Sequence, residues 1–167
     1  MSGRAMLAWC RALVVALAAV GFGLAAGAGA RAQAPAIAFE KDELVVRTAT
    51  GDITFKVELA VTQAQKNRGL MFRESLEPYT GMLFDFGTPQ IVNMWMMNTL
   101  IPLDMIFIDT RGKIISIAAN TRPMSTETIS SGGQAKGVLE IGGGTARLLG
   151  IRPGDRVIHR FFDGTTN

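Results

Sequence analysis

Apolar and polar residues alternate in short stretches along most of the chain beyond residue 43. A two-residue period of this kind predicts β-strands that bury one face, and the turn residues between the stretches mark the strand ends. The stretches lie at 44–49, 53–59, 82–84, 91–97, 103–109, 113–118, 137–141 and 156–161. Thr50, Gly51 and Asp52 have the composition of a hairpin turn between the first two. We therefore expect seven or eight short strands.

Two short helices are predicted between these strands. Residues 62–65, Thr-Gln-Ala-Gln, have the spacing of a capping box, and Gly69 is placed to end the helix that they open. Residues 145–149 are predicted to form a helical turn, whereas the polar segment 120–135 is predicted to be a long loop. Together the elements predict a mainly β (α+β) fold, either an antiparallel sandwich or a partly closed barrel.

The first 32 residues differ in composition from the rest of the chain. Arg4 and Arg11 precede an apolar run over 12–24, and small residues then lead to Ala30-Arg31-Ala32. A basic start, an apolar core and an A-x-A site are typical of a secretory signal peptide. A membrane anchor is the alternative, but this run is short for a bilayer and rich in alanine and glycine. We therefore expect cleavage after Ala32 and a secreted protein, in the periplasm.

The remaining chain is expected to form one globular domain over 43–162, after a flexible lead-in at 33–42 and before a tail at 163–167. The only cysteine, Cys10, lies in the predicted signal peptide, so the mature chain has no disulfide, thiolate nucleophile or cysteine-bound zinc. Without the three arginines of the first 32 residues, 14 basic residues balance 14 acidic ones. This balance argues against a nucleic-acid partner held by phosphate contacts. No membrane partner is expected once the signal is removed.

One carboxylate occupies an unusual position in the pattern. Asp104 falls on the strand face of Ile106 and Ile108, where an acid needs hydrogen-bond partners. In the structural interpretation, the Asp104 carboxylate accepts hydrogen bonds from backbone N–H groups of the turn at Asn98 and Thr99. The functional interpretation places it at the edge of a recessed, partly apolar site. In that site Arg68 would pair with the acid and Trp95 would form a wall.

Five motifs follow one another along the chain and indicate a family. They lie at 68–73, 81–84, 95–99, 102–109 and 138–140 and read RGLMFR, GMLF, WMMNT, PLDMIFID and VLE. Together they resemble the domain-of-unknown-function-192 family, a group of small, often exported prokaryotic proteins. The resemblance covers residues 44–161 and implies a single jelly-roll-like, mainly β domain without an assigned activity. The family usually has a basic residue at the position of Met97, so a cationic role there is in doubt in this chain.

Three other groups of residues are candidate sites. Seven methionines follow residue 32 and could bind Cu(I), but Met94 and Met96 share a strand face with apolar residues and favour core packing. The glycines at 142–144 could hold a phosphate before a helix, but a tight turn explains them more simply. Ser130 and Ser131 with His159 lack the G-x-S-x-G motif of many serine hydrolases. No metal or cofactor is therefore predicted.

The leading hypothesis is an exported binding or accessory domain without enzymatic activity, whose partner is a small ligand or a protein. It rests on the lack of a convincing catalytic set and on the long predicted loop. One alternative is an enzyme that uses Asp104, Asp109 and Arg68, and another is copper handling by methionines. The predicted ligand-binding residues are Arg68, Trp95, Asn98, Thr99, Asp104, Ser130 and Ser131.

Overall fold

The structure is a computed structural model, and it describes residues 37–162. The predicted signal peptide at 1–32 and the predicted tail at 163–167 lie outside the described residues, as does the first part of the predicted lead-in. Among the described residues, no helix has the length and apolar character needed to span a bilayer.

Seven strands and two short helices alternate along the described chain. Their bounds are β1 (Glu40–Thr48), β2 (Gly51–Ala60), α1 (Gln63–Arg68), β3 (Thr80–Met94), β4 (Leu103–Ile108), β5 (Ile114–Ala118), β6 (Ile129–Gly142), α2 (Thr145–Leu148) and β7 (Arg156–Ile158). About 50% of the described residues are in strands and 8% in helices. The predicted mainly β fold with two short helices is confirmed.

All seven strands belong to one sheet in the order β5-β4-β6-β3-β2-β1-β7. Neighbouring strands are antiparallel except β2 and β3, which run parallel, so the sheet is mixed. The start of β5 lies near the start of β7, where the amide of Val157 donates to the carbonyl of Gly112 (2.7 Å). The amide of Ile114 donates to the carbonyl of Asp155 (2.8 Å) in the same place. The sheet curves into a half-barrel, which matches the partly closed barrel among the predicted architectures.

Buried side chains form two apolar clusters on opposite faces of the sheet. Successive residues of a strand point to opposite faces. In β4, Ile106 belongs to the first cluster, whereas Met105 and Phe107 belong to the second. In β6, Leu139 belongs to the first cluster and Val138 to the second. The central strands are therefore covered on both faces, and every residue of β4 is buried.

Strand β3 is a single long strand where the pattern indicated two, at 82–84 and 91–97. Its register with β6 shifts between Asp85 and Gln90 and again between Ile91 and Asn93. Bulges of this kind let one strand bend and continue, so the intervening polar residues do not end it.

The predicted loop at 120–135 is wrong over its second half, because β6 begins at Ile129. The hydroxyl of Ser131 accepts the amide of Val92 in β3 (3.0 Å) and donates to the carbonyl of Gly133 (2.7 Å). A side chain thus replaces a missing backbone partner at the bulge. A segment rich in serine and glycine therefore pairs as a strand despite its loop-like composition.

The two terminal strands also differ from their predicted limits. Strand β1 begins at Glu40, inside the segment 33–42, and Glu40 pairs with Leu59 of β2. The guanidinium of Arg160 donates to the carboxylates of Glu40 (2.8 Å) and Asp42 (2.9 Å). These contacts explain why β1 extends into a polar segment. Strand β7 is shorter than predicted and ends before residue 159.

Candidate functional site

A cavity of about 160 Å³ opens on the sheet face that carries the second cluster. It lies between α1 with the turn that follows it, β3 with the residues after it, and β6. Its apolar walls come from Leu70, Met71, Phe84, Phe86, Met94 and Trp95. Its polar lining comes from Gln63, Lys66, Asn67, Arg68, Asn93, Thr99 and Glu140. The cavity therefore combines an apolar interior with one acidic and two basic side chains.

Glu140 is the acidic residue of the cavity and lies at the centre of the sheet. Strand β6 runs between β3 and β4, so Glu140 pairs with Met82 on one side and Met105 on the other. It therefore shares the face of the second cluster. Gly81 lets β3 approach closely here, since a β-carbon at that position would collide with the carbonyl oxygen of Glu140. The backbones of β3 and β6 therefore lie close together at Glu140.

The carboxyl group of Glu140 has no hydrogen-bond or ion-pair partner among residues 37–162. The residue as a whole is 4% exposed, but no fully enclosed side-chain nitrogen or oxygen of the described residues lacks a partner, so the carboxyl oxygens open onto the cavity. Burial disfavours the charged form and raises the pKa of Glu140 from its usual 4.5 to about 8. At neutral pH the group is mostly a neutral carboxylic acid, which offers one O–H donor and acceptor oxygens to the cavity.

Helix α1 brings two basic side chains to the cavity. Both arms of its capping box are formed: the amide of Gln65 donates to the hydroxyl of Thr62, and the Gln65 side chain accepts the amide of Thr62. This confirms the predicted helix start. The ammonium group of Lys66 donates to the backbone carbonyl of Asp85 (3.0 Å). The described residues form no ion pair with it or with the other basic side chain, Arg68, so both positive charges stay available to a ligand.

Four solvent-exposed apolar side chains lie on segments that carry the lining residues or bond to them, and they are defined here as the apolar rim: Phe72, Trp95, Met97 and Met124. The guanidinium of Arg68 lies 4.7 Å from the ring centroid of Phe72, which ties the rim to the cavity. Phe72 and Met124 both have left-handed backbone, with φ of 64° and 62°. Left-handed backbone costs free energy outside glycine and tends to occur at functional sites.

Backbone hydrogen bonds hold the segments of the rim together. The amide of Phe72 donates to the carbonyl of Asn98 (2.8 Å), and the amide of Met124 donates to the carbonyl of Thr99 (3.0 Å). Asn98 is itself left-handed, with φ of 57°. These bonds join three separate stretches of chain beside the cavity.

Of the seven predicted ligand-binding residues, three line the cavity: Arg68, Trp95 and Thr99. Asn98 lies beside it, because its side-chain amide is 3.9 Å from the sulfur of Met71, a lining residue. The other three predicted residues do not line it.

Asp104 is fully buried on the opposite face of the sheet from the cavity. Its carboxylate accepts the backbone amides of Asn120 (2.6 Å), Gly144 (2.9 Å) and Ala146 (2.7 Å). The predicted role as an acceptor of backbone N–H bonds is confirmed, but the predicted donors were wrong. Strand alternation points the side chain away from the turn at 98–99 and from Arg68, and towards the turn between β6 and α2.

The same contacts bear on the glycines at 142–144. The amides of Gly144 and Ala146, which a bound phosphate would need, already donate to Asp104. Gly144 has φ of 83°, a left-handed turn conformation that favours glycine. The tight-turn interpretation accounts for this loop.

The remaining candidate residues are dispersed and have local structural contacts. Ser130 is exposed and accepts the amide of Gly132, whereas Ser131 supports the bulge. His159 is buried beside β1, where its Nε2 lies 3.2 Å from the carboxylate of Asp42. The carboxylate of Asp109 accepts two backbone amides in the turn between β4 and β5. The structure brings together neither a serine–histidine pair nor the set Asp104, Asp109 and Arg68.

The methionines are distributed between core and rim. Met82, Met96 and Met105 are fully buried in the second cluster, and Met94 packs against it, as the core interpretation predicted. The sulfur of Met96 accepts the hydroxyl of Thr121 (3.1 Å). Within residues 37–162 there is also no group of three histidine, aspartate or glutamate side chains that could hold a metal ion.

Comparison with known protein families identifies the family of this chain. The DUF192 family, described as "Uncharacterized ACR", matches over residues 45–159. The chain belongs to this family. The resemblance read from the five motifs is thus confirmed. A search of curated proteins finds no match.

Two solved structures resemble this DUF192 domain closely. A candidate transcription regulator from Sinorhizobium meliloti 1021 is 43% identical, with a TM-score of 0.71, over 72% of this chain and 95% of that one. A protein of unknown function from Novosphingobium aromaticivorans DSM 12444 is 40% identical, with a TM-score of 0.70, over 75% of this chain and 93% of that one. Neither description assigns an activity to the fold.

Glu140 is the residue of this DUF192 domain that sequence reasoning did not select. It is part of the fifth motif, and it is the one charged residue in the apolar run from Val138 to Ile141. A lone acid in a buried strand is the same signal that drew attention to Asp104. Only the pairing of β6 with β3 and β4 shows that Glu140, and not Asp104, faces the cavity.

Proposed function

We propose that this protein is a small-molecule binding domain, with the cavity at Glu140 as its ligand site. The observation that carries the proposal is the carboxyl group of a buried residue, Glu140, which opens onto a cavity and has no partner among the described residues. A polar group that is removed from bulk water without a protein partner costs free energy, and a ligand that hydrogen-bonds to it recovers part of that cost. Ligand pockets are typically apolar with a few such convergent polar groups.

The size of the cavity supports a small organic ligand. A dry cavity of about 150 Å³ engineered in another protein binds benzene, and the cavity here has a volume of about 160 Å³. One ring or a short carbon chain would fill it. The apolar rim offers further contact area, and Trp95, which is 52% exposed, belongs to both rim and wall.

A second candidate function is proton transfer catalysed by Glu140. A raised pKa near neutrality is typical of a general acid or base, and Glu140 has this property. Binding without turnover is preferred because the described lining contributes no nucleophile paired with a base. Recovery of the bound compound unchanged supports the binding function, whereas a new product would favour the enzyme.

The domain is also proposed to act outside the cytoplasm, in the periplasm. The support for this proposal is the basic, apolar and A-x-A pattern of residues 1–32. N-terminal sequencing of the protein from a periplasmic fraction is expected to give a start near Gln33. An intact Met1 on a membrane-bound product would contradict export with cleavage.

A ligand screen tests the binding function. Ligand-observed NMR would be run on the purified protein with compounds of up to about ten non-hydrogen atoms, in anionic, neutral and cationic forms. We expect at least one compound to bind wild type and the Glu43→Leu control, whose glutamate is exposed on β1. The same compound should lose binding to Glu140→Leu, which keeps the side-chain volume similar.

Two results of the screen would contradict the proposal. One is that no compound binds wild type. The other is that binding is unchanged in Glu140→Leu, which would place the ligand elsewhere. Thermal unfolding of each variant shows whether it is folded, and Glu140→Gln provides a second, more conservative variant if Glu140→Leu unfolds.

A further inference from the structure

We infer that the ligand is a small organic anion, with an apolar body, a carboxylate at one end and a hydroxyl or carbonyl group at the other. This inference rests on the proposed function, because the cavity must first bind a small molecule. Three observations on the lining carry it: its unpaired positive charge, its aromatic and thioether walls, and its buried carboxyl group.

The charge of the lining favours an anion. Lys66 and Arg68 both line the cavity, and no carboxylate among residues 37–162 forms an ion pair with either. The guanidinium of Arg68 is exposed and lies 4.7 Å from the ring centroid of Phe72, where it can be reached from the opening of the cavity. A guanidinium binds a carboxylate through two parallel N–H···O bonds, which are stronger than neutral hydrogen bonds. A cationic ligand would face repulsion from both side chains.

The walls favour an apolar, planar body over an inorganic anion. Phe84, Phe86 and Trp95 provide aromatic surface, and Met71 and Met94 provide flexible thioethers. Aromatic rings stack favourably on one another, and methionine sulfur makes favourable contacts with ring edges. A phosphate or sulfate ion would leave these surfaces unused.

Glu140 sets the requirement for a polar group at the other end. A neutral carboxylic acid donates through its O–H and accepts through its carbonyl oxygen, so it complements a hydroxyl group in both directions. It also complements a carbonyl oxygen through the donor alone. The raised pKa of Glu140 agrees with this, since the acid is mostly protonated at neutral pH. An ammonium group would instead require the acid to ionise while buried.

Isothermal titration calorimetry with four matched probes tests the ligand class at pH 7 and low salt. The probe 4-hydroxybenzoate carries all three features. Benzoate lacks the hydroxyl group, 4-hydroxybenzamide lacks the charge, and 4-hydroxybenzylamine reverses it. We expect 4-hydroxybenzoate to bind about tenfold more tightly than the amide, because a charge-assisted bond is replaced by a neutral one. Benzoate should bind about fivefold more weakly than 4-hydroxybenzoate, and the amine should bind weakest.

Variants show whether the named residues cause this selectivity. Arg68→Gln is expected to weaken the binding of 4-hydroxybenzoate about tenfold and to leave the binding of the neutral amide nearly unchanged. If Arg68 had only a structural role, the binding of both compounds would weaken. Arg111→Gln, which changes an exposed arginine in the turn between β4 and β5, is the matched control and should change neither. Glu140→Leu should remove the difference between 4-hydroxybenzoate and benzoate.

The outcomes separate this inference from the proposed function. Tighter binding of the amine than of 4-hydroxybenzoate would overturn the anionic class while leaving small-molecule binding intact. If folded Arg68→Gln binds 4-hydroxybenzoate and 4-hydroxybenzamide more weakly by the same factor, the anionic ligand class is also overturned. If none of the four probes binds, the ligand class is contradicted, whereas the binding function at Glu140 is decided separately by the wider NMR screen.

Discussion

Replacing Asp104 with leucine is expected to destabilise the folded protein by at least about 4 kcal/mol, one of the two largest effects we predict. The carboxylate accepts three backbone amides while fully buried. A hydrogen bond to a charged group contributes about 1.5–3 kcal/mol, and a buried N–H left without a partner costs a further penalty. Leucine removes all three acceptors and leaves the amides of Asn120, Gly144 and Ala146 unpaired.

Asparagine at the same position is expected to cost less, about 2 kcal/mol. One oxygen of Asp104, Oδ1, accepts two amides, from Asn120 and Gly144, and the asparagine oxygen can replace it there. The other oxygen, Oδ2, accepts the amide of Ala146. An asparagine NH₂ group at that position would place one donor against another.

Denaturant unfolding of wild type, Asp104→Asn and Asp104→Leu measures these differences. Asp52→Asn is the control, because Asp52 is exposed in the hairpin between β1 and β2 and its ion pair with Arg47 is at the surface. It should change the unfolding midpoint little. An unfolding free energy of Asp104→Leu equal to that of wild type would show that this carboxylate does not hold the loops together.

Much of the fold could be predicted because its local signals agree with its tertiary contacts. The hairpin of β1 and β2 turns at Ala49 and Thr50, one residue before the turn that Thr50, Gly51 and Asp52 indicated, and α1 is capped by Thr62 and Gly69 as expected. The parallel pairing of β2 with β3 could not be predicted, since it joins segments that are separated by a helix and a long turn. No local pattern records which strands become neighbours.

The prediction of a loop over the second half of 120–135 was wrong for a related reason. Glycine has low strand propensity and serine is common in turns, and the sequence alone does not show which strand would pair with them. In the fold, β3 supplies the partner, and the hydroxyl of Ser131 completes the pairing at the bulge. Tertiary pairing overrides local propensity here.

The site could be predicted only in part, because its residues come from segments that are far apart in the chain. Arg68, Trp95 and Thr99 were selected by residue type, and the structure brings them to one cavity. The donors to Asp104 lie up to 42 positions along the chain, so a search among its neighbours found the wrong turn. Glu140 was missed because its environment depends on two other strands.

The stability of the protein is expected to fall as the pH rises from about 4.5 to about 8, through the ionisation of Glu140. Burial raises the pKa of Glu140 in the folded state to about 8, whereas the unfolded chain keeps the usual 4.5. Between these values the folded state binds more protons than the unfolded state, so the unfolding free energy decreases with pH. The slope approaches about 1.4 kcal/mol per pH unit.

Glu140→Gln isolates this effect, because glutamine does not ionise and keeps the shape of the side chain. Other groups also titrate: burial lowers the pKa of His159, and the backbone amide of Glu43 lowers the pKa of Asp42. His159 and Asp42 are present in both wild type and Glu140→Gln. Their effects therefore cancel when the two curves of unfolding free energy against pH are subtracted. The free energy of unfolding in urea would be measured for both proteins from pH 4 to 9. The value for Glu140→Gln minus the value for wild type should increase by roughly 4 kcal/mol over this range. A difference that stays constant over this range would show that the Glu140 carboxyl group is solvated, and would remove the desolvated acid on which the ligand site depends.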